Sequence, residues 1–220
     1  MNETLIDATV WAHAMLRITE HPTFKLALEV AVLNSKDKHV YLAGGKLYRS
    51  IIEELYGYPA RAECCDYDFV TKQTVKAPEL PNGHKPWESF LRAQDDYNYT
   101  DTDSKLHMDS PSIKFYGKGI KVDLISLGSL PHILEKNLPR TMESYFASVP
   151  LDIQAMALDL NVTNGARMVK LIGEKGQQAI LNRRIAINNP STLEKHCAFK
   201  GISQNSFVGK KAKSVRFTWG

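Results

Sequence analysis

The chain has 220 residues and only three cysteines, two of them adjacent (Cys64, Cys65) and the third remote (Cys197). No even, spaced disulfide framework can be built from such a set, and a reducing, cytoplasmic setting is the expectation. No apolar run reaches the ~18 residues that a membrane helix needs, so no membrane partner is expected. Acidic residues stand in the first stretch, MNETLIDATVWAHAML, where a signal peptide would be basic, and it reads as mature protein. The seven histidines fall singly, with no Cys/His spacing suited to zinc. Internal repeats and low-complexity tracts are absent as well. Hydrophobic residues at 43% and charged residues at 24% are the balance of a globular protein with a real core.

Charge is distributed unevenly. Residues 1–160 carry a balance of −5 and residues 161–220 a balance of +9, giving the net +4. A basic C-terminal stretch on a slightly acidic body suits a polyanionic partner such as nucleic acid, which releases counterions on binding; a solvated basic surface is the plain alternative. This contrast divides the chain into a body at 1–160 and a basic appendage at 161–220. Nothing in the pattern fixes an oligomeric state.

Apolar spacing predicts a helix over 3–18, a second after Pro22 over 24–33, a short strand over 39–43, and a helix over 46–56 closed by Gly57. CCDYDFV at 64–70 alternates and reads as a strand. Residues 72–111, with four prolines and seven acids, read as an insertion holding at most a short helix at 86–94. Residues 112–116 and 120–125 form a hairpin pattern across Gly117-Lys118-Gly119. Residues 129–135 and 151–160 read as helical, 174–185 as a possible helix, and the rest shows no clear pattern. The fold class is α+β (mixed α/β): a small mixed sheet flanked by helices.

The residues that carry chemistry lie in the first half. On a strand, positions i and i+2 share a face, so Asp66 and Asp68 would stand side by side. Two such carboxylates repel unless a cation lies between them, and hard oxygen ligands suit Mg²⁺, with Mn²⁺ as a substitute. Two ions of this kind can activate a hydroxyl and neutralise a leaving pyrophosphate. Asp123, alternating with apolar neighbours in KVDLI, is the third expected ligand. Gly44 and Gly45 precede a helix, where backbone can approach a phosphate closely and free N–H groups point at it. Lys46 and Arg49 at the helix start could contact a triphosphate or form a solvated face. Lys118 and Lys121 flank the hairpin near Asp123. Arg183, Arg184, Lys210, Lys211 and Lys213 are candidates for RNA contact.

YLAGGKLYRSIIEELYG followed by CCDYDFVT resembles the head of the polymerase-β-like nucleotidyltransferase superfamily, and is most similar to the poly(A) polymerase and tRNA CCA-adding group. Tyr41, Leu42, Gly44, Gly45, Leu55, Gly57, Asp66, Asp68 and Thr71 match in type and order. IQAMALD at 153–159 is similar to the Ile-Asn-Ala-Leu-Ala-Tyr-Asp segment of that group. The resemblance spans 39–160 and leaves 72–111 unmatched. It implies a nucleotidyltransferase (polymerase β-like palm) fold in 1–160. It implies transfer of a nucleoside monophosphate from an NTP to an acceptor hydroxyl, with release of pyrophosphate. Asp66, Asp68 and Asp123 would be catalytic and hold two Mg²⁺, Gly44 and Gly45 would hold the triphosphate, Asp152 and Gln154 would bind the nucleotide, and the 153–159 segment would help hold its sugar. Three departures bear on substrate: Arg49 is displaced by one from the family's Val-Arg-Asp, Ser148-Val149-Pro150 replaces Arg-Arg-Asp, and about 60 residues follow where a helical neck, body and tail are usual. The expected acceptor is RNA, with a tRNA 3′ end foremost. The alternatives are a toxin-type transferase acting on tRNA or a protein, and a catalytically silent RNA-binding module of the same fold.

Overall fold

A computed structural model describes residues 6–75, 112–117, 120–160, 162–163, 166–167 and 169–220. Most of the 72–111 insertion, the short helix expected at 86–94, and Lys118 lie outside the described residues.

In chain order the elements are α1 (Ala8–Thr19), α2 (Pro22–Leu33), β1 (Tyr41–Ala43), α3 (Gly44–Tyr56), β2 (Tyr67–Thr71), β3 (Ser112–Gly117), β4 (Ile120–Ser126), α4 (Pro131–Glu135), α5 (Met142–Ser148), β5 (Ala157–Asp159), β6 (Val162–Thr163), β7 (Ala166–Arg167), β8 (Lys170–Ile172), α6 (Glu174–Leu181), β9 (Arg184–Ile185), α7 (Pro190–Phe199), α8 (Gln204–Ser214) and β10 (Thr218–Trp219). Local chemistry sets the boundaries. The Asp7 carboxylate caps α1 by accepting from the Thr9 N–H at 2.8 Å. Pro22 opens α2, where its missing N–H costs nothing. Gly57 ends α3 in the left-handed conformation at φ +67°.

Six strands form one sheet in the order β3-β4-β2-β1-β5-β8. β2 and β4 run parallel, and the other neighbours pair antiparallel. Alternation along the strands sorts side chains onto two faces. Leu42, Phe69, Leu124 and Leu158 go to the larger core with α1, α2 and α3. Ala43, Val70 and Ala157 go to a smaller one with Ile133 of α4 and Met142 and Tyr145 of α5. Asp68 and Asp123 alternate with Phe69 and Leu124 and therefore belong to the second face.

Several sequence expectations change here. Residues 151–160 are not a helix: a 3₁₀ turn at Asp152–Gln154 leads into β5. β5 lies between β1 and β8 and is covered on both faces, so its short apolar run carries no period to separate strand from helix. The strand expected at 64–70 begins only at Tyr67, after a 3₁₀ turn at Ala62–Cys64. Asp66 therefore precedes the strand rather than sitting on it. The helix expected at 129–135 begins at Pro131, after a 3₁₀ turn at Leu127–Ser129. The basic stretch, patternless beyond 185 in sequence, folds into α7 and α8 with β9 and β10 paired in parallel. One buried cluster includes Ile6 near one end and Leu193, Phe207 and Phe217 near the other, so it draws on both sides of the division at residue 160. Among the described residues no helix is long and apolar enough to cross a membrane.

Candidate functional site

The site starts at the junction of β1 and α3. Ala43 pairs with Asp68 across the sheet, and the next residue turns the chain into the helix. Gly44 does this at φ +69°, and a Cβ there would stand 1.8 Å from Asp68 Oδ2. Only glycine fits on both counts. The Gly45 backbone N–H donates to the Asp68 carboxylate. The open end of α3 and an acidic side chain thus meet at one point.

The parallel register of β2 and β4 places Asp123 directly beside Asp68. Both side chains project from the same face, and Asp66 joins them from the segment just before β2. All three line one cleft of about 520 Å³, together with Gly44 and Gln154. Burial, and then the charges of Asp123 and Asp66, push the Asp68 carboxyl up to about 7, while the Gly45 N–H and Lys211 pull the other way. Tyr145 of α5 lines the same cleft, its hydroxyl pushed up by burial and by the Asp68 charge. The donors are hard oxygens that repel one another, which is the chemistry of a divalent-cation site. As they stand, no group of three or more His, Cys, Asp or Glu side chains among the described residues is gathered tightly enough to hold a metal ion.

The opposite wall comes from α7 and α8. Ser191, Lys195 and Phe199, and with them Thr192, His196 and Lys200, follow i, i+4 spacing and present one face of α7 to the cleft. Phe207 and Lys211 enter from α8. The Lys200 and Lys211 amines lie over the Phe207 ring at 6.0 and 5.8 Å. Lys195 spans to Glu135 of α4 at 2.9 Å. A cationic and aromatic wall therefore faces the acidic one. Lys195, Phe199 and Lys200 of α7 and Phe207 of α8 are not among the residues expected from sequence, because the two buried positions of α7, Leu193 and Cys197, outline no apolar stripe.

Of the residues expected at the site, Gly44, Asp66, Asp68, Asp123, Gln154 and Lys211 come together. Gly45 contributes its backbone. Lys46 does not line the cleft: it is buried, with its amine 4.8 Å from the Tyr67 ring centroid and donating to the Glu63 carbonyl. Burial lowers its pKa. Arg49 ties α3 to its surroundings through the Ala60 carbonyl and Ser214 Oγ. Asp152 also lies off the cleft. Its Oδ1 accepts from the Ile153 and Ala186 N–H groups at 2.7 and 2.9 Å, pinning the 3₁₀ turn to the segment after β9. Helix rotation decides the first two cases and a local backbone bond the third. Arg183, Arg184, Lys210 and Lys213 are exposed outside the cleft.

A mixed sheet with a glycine-opened helix at one strand end and carboxylates on two adjacent parallel strands is the nucleotidyltransferase fold, and the comparisons with solved structures agree. A structure described as a CCA-adding enzyme head domain is similar at a TM-score of 0.50 and 17% identity, over 100% of this chain and 98% of that one. A tRNA-processing enzyme in an apo form gives 0.51 and 13%, over 91% of this chain and 44% of that one. A CCA-adding enzyme with ATP gives 0.50 and 13%, over 94% and 41%. The chain therefore has the fold of a CCA-adding enzyme head and spans less than half the length of the two larger enzymes. No protein-family model matches the chain, and no curated protein matches its sequence.

Proposed function

We propose that this chain is a divalent-cation-dependent nucleotidyltransferase that moves a nucleoside monophosphate from an NTP to a hydroxyl of an RNA acceptor. The reading is carried by one observation: Asp123 stands abreast of Asp68 on adjacent parallel strands, in a cleft that Gly44 also lines. The similarity to a CCA-adding enzyme with ATP and the +9 charge of residues 161–220 support the NTP and the RNA.

Asp66, Asp68 and Asp123 would hold the cations, which supply charge neutralisation at the transferring and leaving phosphates. The open end of α3 at Gly44 and Gly45 receives the triphosphate, and the lysines of the facing wall balance its charge. Asp123 takes the proton of the attacking hydroxyl. The acceptor oxygen bonds to the α-phosphorus as the bridging oxygen to the β-phosphorus leaves with its electron pair, releasing pyrophosphate. No covalent intermediate on the protein is needed, so positioning and electrostatics supply the rate.

Incubation with total RNA and each α-labelled NTP in turn, with Mg²⁺ or Mn²⁺, tests this. Labelled RNA is expected from the native chain and none from Asp66→Ala, Asp68→Ala or Asp123→Ala; label transferred by any of the three would refute the assignment. A second reading, a catalytically silent RNA-binding module, is favoured because no three carboxylates among the described residues are gathered into a metal-holding group and because Lys46 and Arg49 are engaged away from the cleft. Calorimetry separates the two, since a silent module gives no heat with any NTP and Mg²⁺.

A further inference from the structure

Outside the cleft, two arginines are held in an unusual way. Arg183 directly follows the C-cap of α6 and Arg216 that of α8, both in left-handed backbone, at φ +47° and +56°. Each lays its guanidinium on a tyrosine: Arg183 at 3.9 Å from the Tyr56 ring centroid and Arg216 at 4.7 Å from that of Tyr58. The two rings stack on each other at 6.0 Å and 11°. Both are anchored by their hydroxyls, which donate to the Ile180 carbonyl at 2.7 Å and the Val215 carbonyl at 2.5 Å. The result is a fixed cluster of two guanidinium groups and two rings.

Left-handed backbone at a non-glycine residue costs ~1–2 kcal/mol, so these positions are maintained against a local penalty. Fixation has a chemical consequence. A guanidinium held over a ring keeps its N–H groups available at its edges, and such a group grips phosphate oxygens in pairs. Among the described residues neither guanidinium has a carboxylate or carbonyl acceptor, and both side chains are exposed. Trp219 follows on the adjoining ribbon, where β10 pairs with β9. Its indole nitrogen lies 3.9 Å from where a Cβ on Gly209 of α8 would be, and the side chain is 45% exposed. Glu174 and Glu194 are the only acids after residue 160.

We infer that Arg183, Arg216 and Trp219 form a docking surface for single-stranded RNA, the arginines taking phosphates and the indole stacking on a base. This rests on the transferase reading for the role of the bound strand, as the acceptor. Rigid cations beside an exposed indole are the pairing that holds unpaired nucleic acid. The surface leads to the cleft along α8, which carries Lys211 on the cleft wall and ends two residues before Arg216.

The test uses the full chain, a fluorescent uridine 12-mer and anisotropy over a salt series. The native chain is expected to bind with a steep salt dependence. Arg183→Gln with Arg216→Gln removes two phosphate contacts and lowers the slope of log K against log salt by about 1.4. Trp219→Ala is expected to weaken binding roughly 5- to 150-fold with the slope unchanged. Circular dichroism confirms folding of each variant. Unchanged affinity and slope in the folded double variant would overturn the inference, as would no binding by the native chain at low salt. Equal competition by polyglutamate with no effect of Trp219→Ala would overturn it in favour of a general polyanion surface. If labelled nucleotide is transferred while the variants bind RNA normally, the docking surface fails alone. If the oligomer binds through these residues but no NTP gives heat, the transferase reading fails alone.

Discussion

Asp68→Asn exchanges a crowded carboxylate for a neutral group of the same shape. The Asp68 carboxyl moves from 3.8 to about 7 on folding, through burial and the charges of Asp123 and Asp66. Such a rise amounts to about 4 kcal/mol of penalty for the ionised form. The folded state binds the extra proton between these two values, so stability falls as pH rises from 3.8 to about 7 and levels off above. Asparagine abolishes that dependence while its side-chain oxygen still accepts from the Gly45 N–H. Water in the open cleft screens part of the penalty, so the variant should be more stable than the native chain by about 1–3 kcal/mol at pH 8. The gap should shrink to about a third at pH 5. Urea unfolding followed by circular dichroism at both pH values measures it. Millimolar Mg²⁺ should stabilise the native chain at pH 8 and leave Asp68→Asn unmoved. If Asp68→Asn proves no more stable than the native chain at pH 8, the crowding of the three carboxylates is wrong.

Two further outcomes follow from geometry. Gly44→Ala places a methyl 1.8 Å from Asp68 Oδ2 in a left-handed backbone, and should cost about 2–4 kcal/mol in thermal unfolding. The cost should drop in an Asp68→Ala background, where the clashing oxygen is gone; equal costs in both backgrounds would contradict the contact. Asp152→Ala strips the acceptor from the Ile153 and Ala186 N–H groups and should cost about 2–4 kcal/mol, while Asp152→Asn stays within about 1 kcal/mol. NTP heats per folded molecule should be unchanged in both Asp152 variants, because the side chain does not line the cleft; lost heat would return Asp152 to the nucleotide site.

The legible parts of the fold were those with strong local chemistry. Pro22, Gly57 and the apolar spacing of α3 marked helix limits because capping and backbone freedom act within one turn. The Phe69 and Leu124 alternation marked β2 and β4 because one face of each is core. β5 was misread because burial on both faces erases period. α7 was missed because its buried positions, Leu193 and Cys197, are too few to outline an apolar stripe in a basic stretch. For Lys46 and Arg49 a phosphate contact and a solvated face both stay open in the sequence, because it gives the start of a helix but not its rotation about its axis.

The sequence by itself determined which residues could do chemistry: the glycine pair before a helix, the Asp-x-Asp pair, and Asp123 alternating with apolar neighbours. Each depends on backbone freedom or side-chain period, which are properties of a few consecutive residues. Only tertiary structure decided that Asp123 lies abreast of Asp68, since strand register is fixed by pairing across some fifty residues of intervening chain. It also decided that the basic stretch forms the facing wall of the cleft. Helices α7 and α8 are positioned there by burying Leu193, Phe207 and Val208 in the common core, a contact no local pattern encodes.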